Sequence, residues 1–262
     1  LGRARRSFNG PLLTINTTPI PKNNLNNPTT EYLTTHLSRL YGNFDFTSGL
    51  KRAYHQANIL PHIDNSAKLT ICEIGPGFGE MLSLLTERKN INLIAVDNSD
   101  EVIRHIQTKF PPVKCFLSDN LADFFDQHAD QFNYVIMIDV LEHLGKESII
   151  PILQNIKKSL KSGGKIIIQT LNGAGPLATN ILYSDFTHTW APSELSVEQV
   201  LKLSGFQNMQ ITGYRFPEGV LGFLRGFIRI FLHAIYQSVA LLNGTLRMKI
   251  LDPNIIAVAV KE

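Results

Sequence analysis

LTICEIGPGFGE (69–80) is a six-residue apolar run followed at once by a glycine-rich turn and an acidic residue that opens a helix. A short run of this kind, ended by Gly75, Gly77 and Gly79, reads as a buried strand passing into a helix through a turn that side chains would obstruct. Working outward, the same alternation repeats. Helix 79–88 precedes strand 91–97 (INLIAVD), helix 100–108 precedes strand 113–117 (VKCFL), and helix 121–128 precedes strand 133–139 (NYVIMID). Helix 146–160 leads through Ser-Gly-Gly to a fifth strand, 165–171 (KIIIQTL). Continuous apolar strands alternating with helices predict an α/β fold with a Rossmann-like, mostly parallel sheet covered on both faces.

After strand five the pattern changes. Residues 172–194 are a polar loop, and SVEQVLKLSGF (196–206) is a helix opened by Ser196 with Gln199 three residues on and closed by Gly205. A strand near 208–215 and a last strand, IIAVAV (255–260), are separated by about 40 residues of very apolar helix, long for a connection in a compact domain. Upstream, residues 31–66 carry apolar side chains at helical spacing, with Pro61 as a stop. The expected organisation is an extended lead-in (1–30), an N-terminal helical cap (31–66), a core (67–217), an apolar helical insertion (218–250) and a final core strand (251–262).

The 262 residues are 44% apolar and 18% charged, which excludes global disorder. The net charge of +3 comes from the first 30 residues, where Arg3, Arg5, Arg6 and Lys22 stand with no acid; without these four the balance is −1. That leaves no basic footprint for a nucleic acid. Two cysteines, Cys72 and Cys115, cannot build a disulfide framework, so a reduced, cytoplasmic protein is expected. No segment reads as a signal peptide, and the initial Leu suggests that residues 1 to about 10 are added sequence or a truncated start.

Four acidic residues stand at the carboxyl ends of four successive strands: Glu73, Asp97, Asp119 and Asp139. Open parallel sheets bind ligands in the crevice at those ends. Asp97 follows Gly77 by 20 residues, where a carboxylate accepts both hydroxyls of a ribose. Asp119, in Ser118-Asp119-Asn120-Leu121, is placed to read an adenine amino group. The turn is G-x-G-x-G and not the G-x-G-x-x-G of pyrophosphate-binding dinucleotide sites. Glu73 beside it would repel a pyrophosphate and suits a ligand with an ammonium group. S-adenosylmethionine has a sulfonium, an amine and no phosphate, and is the expected cofactor.

In these motifs the chain resembles the class I S-adenosylmethionine-dependent methyltransferases. The resemblance spans about 67–215 and the last strand, and rests on EIGPGFGE (73–80), VDNS (96–99), SDNL (118–121), NYVIMIDVLEHL (133–144), LKSGGKIII (160–168) and YSDFTHTWAPSELSVEQVLKLSGF (183–206). It implies a seven-stranded sheet in the order 3-2-1-4-5-7-6 with strand seven antiparallel. It also implies that Gly75, Pro76, Gly77 and Gly79 pass under the cofactor. Asp97 and Asn98 would hold its ribose, Asp119, Asn120 and Leu121 its adenine, and Asp139 and Val140 would line its methionine end with Glu73 nearby. Within the superfamily the chain looks most like small-molecule O-methyltransferases of the ubiquinone and sugar-modifying kind. Asp-Val-Leu-Glu-His (139–143) and Asp-x-Thr-His (185–188) occur there, and DPNIIAVAVKE (252–262) is similar to the ending of methyltransferases of bacterial polysaccharide pathways. No Asn-Pro-Pro-Tyr-type sequence follows strand four, and no metal ligand set is evident, so no metal is assigned.

A sugar hydroxyl needs help to lose its proton at neutral pH. His188, His143 and Asp185 lie on loops at the catalytic rim. The alternatives for His188 are a base and a loop-shaping turn with Asp185 and Thr187; those for His143 are a base and a helix-start cap with Glu142. Trp190 and Phe186 are either a wall for an acceptor ring or packing, and Tyr41 to Phe46 either a gate or core. In the insertion, Arg225, Arg229, His233 and Gln237 form one polar stripe at four-residue spacing. The apolar faces around it need cover: the parent domain, a homodimer partner, or the inner face of the membrane, for which an acid-free stretch between Glu218 and Asp252 is suited. The expected acceptors are a small-molecule or lipid-linked sugar, or a phenolic quinone-precursor lipid. A cofactor-binding scaffold without turnover is the remaining reading.

Overall fold

A computed structural model describes residues 33, 49–65, 68–215, 220–245 and 248–262. The lead-in, Tyr32 and Tyr41 to Phe46 lie outside them, so the gate expectation does too.

Helix α1 (Gly49–Asn58) is followed by a 3-10 turn at Leu60–His62, with Pro61 at its start. The core then alternates: β1 (Leu69–Ile74), α2 (Glu80–Thr86), β2 (Ile91–Asp97), α3 (Asp100–Lys109), β3 (Lys114–Leu117), α4 (Leu121–Asp126), β4 (Phe132–Ile138), α5 (Lys146–Ser159) and β5 (Leu160–Leu171). After β5 come α6 (Ala178–Leu182), α7 (Glu194–Leu203), β6 (Asn208–Gly213), α8 (Val220–Leu242) and β7 (Asn254–Val260). The seven strands lie in the order β3-β2-β1-β4-β5-β7-β6, with β7 antiparallel to both neighbours. Two apolar clusters cover the faces, one built around Phe125, Phe132 and Phe206, the other around Ile71, Leu85 and Ile106.

The Ser-Gly-Gly turn expected before strand five is a bulge within β5. Phe132 pairs with Leu160, but Tyr134 already pairs with Lys165. The bulged residues bond the chain terminus through Gly163 N to Lys261 O and Lys261 N to Gly164 O. Helix α7 corrects the expected start at Ser196. Its N-cap is Ser193, and Ser196 is the third helical residue, its hydroxyl accepting from Ser193 N at 2.7 Å. A serine three residues along closes the capping box as well as Gln199 was expected to, one turn earlier.

Helix α8 meets the domain with Arg229 and Gln237 of its polar stripe and not with its apolar faces, while Arg225 at the head of the stripe is exposed. Arg229 Nη1 donates to Asp252 Oδ1 at 2.6 Å and to Tyr214 O at 3.0 Å, and Gln237 Nε2 donates to Met248 O. Phe223, Phe227 and Phe231 are 79%, 68% and 65% exposed.

Candidate active site

The carboxyl ends of β1, β2 and β4 open into one cleft with three connected lobes. Gly75 sits where all three meet. Its φ is +64°, and a Cβ there would stand 2.6 Å from Val140 Cγ2, so a side chain would both strain the turn and fill the floor.

The first lobe runs between β3 and α5. Asp119, Asn120 and Leu121 stand on one side, and Ile74, Leu144 and Ile152 give it apolar walls. Asn120 also holds the fold locally, its Oδ1 accepting from Asp123 N at 3.2 Å as the N-cap of α4. Asp97 and Asn98 border the junction with the next lobe. Asp97 Oδ1 accepts from Ser99 N at 2.7 Å, and burial raises its carboxyl to about 6 against two weaker backbone hydrogen bonds.

The second lobe holds Glu73, Pro76, Gly77, Glu80 and Asp139, together with Lys51, Tyr54 and His55 of α1. Glu73 is buried, its Oε2 has no hydrogen-bond partner, and burial pushes its carboxyl well above the usual range. A cationic amine would hold that carboxylate ionised. His55 is a buried neighbour of this lobe, and desolvation lowers its imidazole to about 4. Asp139 has φ 52°, a left-handed conformation that non-glycine residues adopt at a cost. Its carboxyl opens onto the cleft while protein crowds it from behind, so desolvation raises it, opposed by the bond from Gln169 Nε2 at 3.0 Å. The cradle at Gly75, the unpartnered Glu73 oxygen and the Asp97 carboxylate together fit a nucleoside carrying an amine.

The third lobe adds His143 and Thr187 beside Asp139 and Val140. Thr187 Oγ1 donates its proton to Asp185 Oδ1 at 2.7 Å, so at 2.9 Å it accepts from His143 Nδ1. His188 does not contribute to the lobe wall. Its Nδ1 lies 3.2 Å from the carbonyls of Ile181 and Leu182, and its ring is 4.7 Å from that of His143. Glu142 is fully buried in the 3-10 turn Leu141–His143, where it accepts from Thr170 Oγ1 at 2.9 Å. Burial first, and then the charge of Asp139, push its carboxyl to about 8. Trp190 braces the loop: its Nε1 donates to Leu141 O at 3.1 Å, while Phe186 is almost fully exposed. Neither lines the three lobes of the cleft.

The fold and the cleft fit a nucleoside bound at the strand ends. The chain belongs to the methyltransferase-domain family, whose model matches residues 46–211. It is similar in fold to a SAM-dependent methyltransferase from Archaeoglobus fulgidus (TM-score 0.61, 20% identity, covering 81% of this chain and 94% of that one). It is also similar to an S-adenosylmethionine-dependent methyltransferase from Mesorhizobium loti (TM-score 0.56, 13% identity, 77% and 94%). No curated protein matches the sequence. The cofactor is S-adenosylmethionine, and the protein is a methyltransferase that depends on it.

Proposed function

We propose that the methyl group goes to a hydroxyl of a sugar, free, nucleotide-linked or lipid-linked, as in a polysaccharide precursor. The observation that carries this reading is the chain Asp185–Thr187–His143 on the acceptor side of the cleft. With Nδ1 donating to Thr187, the His143 lone pair is on Nε2, the form of imidazole that assists removal of a hydroxyl proton.

The bound cofactor supplies an activated methyl on a sulfonium. The chain's own residues do the rest. Glu73 holds the amine end, Asp97 the ribose and Asp119 the adenine edge, which fixes the direction of the methyl. Asp139, kept in its strained backbone form by Gln169, lines the passage between the cofactor and acceptor lobes. Alignment at that passage is worth several kcal/mol when two reactants meet in a fixed geometry.

The outward apolar faces of α8 support a lipid-linked acceptor. They equally suit a phenolic quinone precursor, which remains the second reading. Among the described residues no helix is long and apolar enough to cross a membrane, so the helix would lie in the cytoplasmic interface.

The test is product mass after incubation with S-adenosylmethionine and panels of nucleotide sugars, glycolipids and phenolic lipids. An O-methylated sugar supports the proposal. Methylation of amines alone would overturn it. His143→Ala should lower turnover by about 10²–10⁴-fold with S-adenosylhomocysteine affinity nearly unchanged.

A further inference from the structure

We propose that the segment between β5 and α7 and the outward faces of α8 form one docking surface for an anionic lipid bilayer, beside the acceptor lobe of the cleft. For the acceptor the inference rests on the lipid-linked form of the proposed function; the surface itself rests on geometry and charge. Helix α8 alone would leave the cleft's position at the bilayer open. The segment after β5 fixes it, because it carries both a cleft residue and exposed apolar side chains. Thr187 lines the third lobe, and its neighbour Phe186 is 96% exposed. Tyr183 is 82% exposed on the same segment, and Leu177 is exposed too. Three large apolar side chains left in water on one short segment are more than the single ones scattered over a soluble surface.

The segment and the helix are fixed to the same few residues ahead of β7. Asn172 donates from N to Pro253 O and from Nδ2 to Ile250 O and Asp252 O. Gly175 lies so close to these residues that a Cβ would stand 3.3 Å from Asp252 O and 3.4 Å from Leu251 O. Helix α8 holds the same stretch through Arg229 to Asp252 Oδ1 and Gln237 to Met248 O. Leu171, at the end of β5, pairs with Asn254, at the start of β7. The shared anchor is therefore at the carboxyl-end rim of the parallel strands, where the cleft opens. Phe186 and Tyr183 on one side, and Phe223, Phe227 and Phe231 on the other, stand on elements rooted in that rim.

Charge selects the occupant. The sequence from 219 to 251 holds no acid, while Arg225 and Lys249 are exposed. Between 173 and 193 the single acid is Asp185, which is buried and bonded to Thr187. Glu198, which feels the charge of Lys249, is already paired with Lys202. Apolar side chains edged by cations, with no exposed acid on either segment, match an interface whose headgroups are anionic and attract each Arg or Lys near them. A two-fold contact with a second copy would set the same cations against one another with no acid to pair them. Tyr183 suits the bilayer as well, its ring among the acyl chains and its hydroxyl at headgroup level.

The experiment is flotation of the whole chain with vesicles of phosphatidylcholine, alone or mixed with phosphatidylglycerol, at low and high salt. S-adenosylhomocysteine affinity and oligomeric state are measured on the same samples. The chain should float with the mixed vesicles, and more so at low salt. Tyr183→Ser with Phe186→Ser should weaken vesicle binding by about 10-fold, and Arg225→Glu with Lys249→Glu should abolish the preference for anionic lipid. All four side chains are exposed, so S-adenosylhomocysteine affinity should stay unchanged and show that the variants are folded. Recovery of the unaltered chain in the lipid-free fraction, as monomer or dimer, overturns the docking surface. Vesicle binding that Tyr183→Ser with Phe186→Ser leaves unchanged overturns it too, since the segment beside the cleft then takes no part. Vesicle binding as expected, with methyl transfer only to water-soluble sugars, keeps the surface and overturns the lipid-linked reading instead.

Discussion

Asp97 combines two demands that pull its chemistry in opposite directions. In the proposed role it accepts two ribose hydroxyls and must be ionised to do so, yet burial raises its carboxyl to about 6. A folded-state value above the unfolded one adds stability that is present in full near pH 4 and is lost as pH rises through about 6. Asp97→Asn, which keeps an oxygen for Ser99 N, should therefore melt above the wild-type protein at pH 7.5. The difference should shrink as pH falls toward 4 in paired thermal scans. Asp97→Ala should weaken S-adenosylhomocysteine by roughly 1.5–3 kcal/mol, and wild-type affinity should fall below about pH 6, both read by calorimetry. Gly75→Ala is a harsher change. The added Cβ meets Val140 in a backbone form that alanine avoids, so a loss of ~1–3 kcal/mol in stability is expected together with loss of cofactor binding. The acidic strand ends and the glycine turn were legible because they are local in sequence. The bond between His143 and Thr187 was not, since the residues are 44 apart and only the loop's return to the turn at Leu141–His143 brings them together.

Among the elements, helix α8 shows how far periodicity reaches. A four-residue recurrence of Arg229, His233 and Gln237 predicts a polar stripe, but not which way it faces. Here it faces inward, because Asp252 and the Tyr214 carbonyl offer acceptors beside the end of β6 and the start of β7. Arg229→Ala would leave Asp252, mostly buried, without that guanidinium. A cost of about 1–2 kcal/mol in urea unfolding is expected, below that of a fully buried pair because Arg229 is 28% exposed. The outward face gives the opposite prediction. Phe227→Glu with Phe231→Glu removes exposed side chains, so the melting temperature should stay within the small range of surface substitutions. Flotation with anionic liposomes should be lost. If the unaltered chain stays in the lipid-free fraction at low salt as a stable dimer, a second copy covers this face and the acceptor moves to a soluble nucleotide sugar. The central strands were easier to read, as β2, β4 and β7 each carry a continuous apolar run. The start of α7 was misread by three residues because Ser193 and Ser196 are both good caps and only one begins the turn.

Across the whole molecule the cleft is lined on its Glu73 side by an element outside the strand–helix alternation. Helix α1 reaches the core through Lys51 Nζ to Glu80 Oε1 at 2.8 Å, and its far end is held by a reciprocal pair, Asn58 Nδ2 to Arg215 O and Arg215 N to Asn58 Oδ1. Tyr54 packs on Tyr214, whose carbonyl also anchors α8. One helix thus touches the cofactor lobe at Lys51, Tyr54 and His55, and the sheet edge that carries α8 at Asn58 and Tyr54. Its contacts with the core are few and partly exposed, which places it at the low end of local stability. Cofactor binding adds stability by mass action, about 2.7 kcal/mol at a hundredfold excess over Kd. For a chain of this size that is a rise on the order of 5–10 °C in melting temperature. The gain should be concentrated where the ligand bridges α1 to the strand ends. Hydrogen exchange with and without S-adenosylhomocysteine should show added protection at 51–58, next to the unchanged protection of β1 and β4. Equal exchange of 51–58 in both states, with the melting temperature raised, would mean that the cofactor is held by the strand ends alone and that α1 takes no part in closing the site.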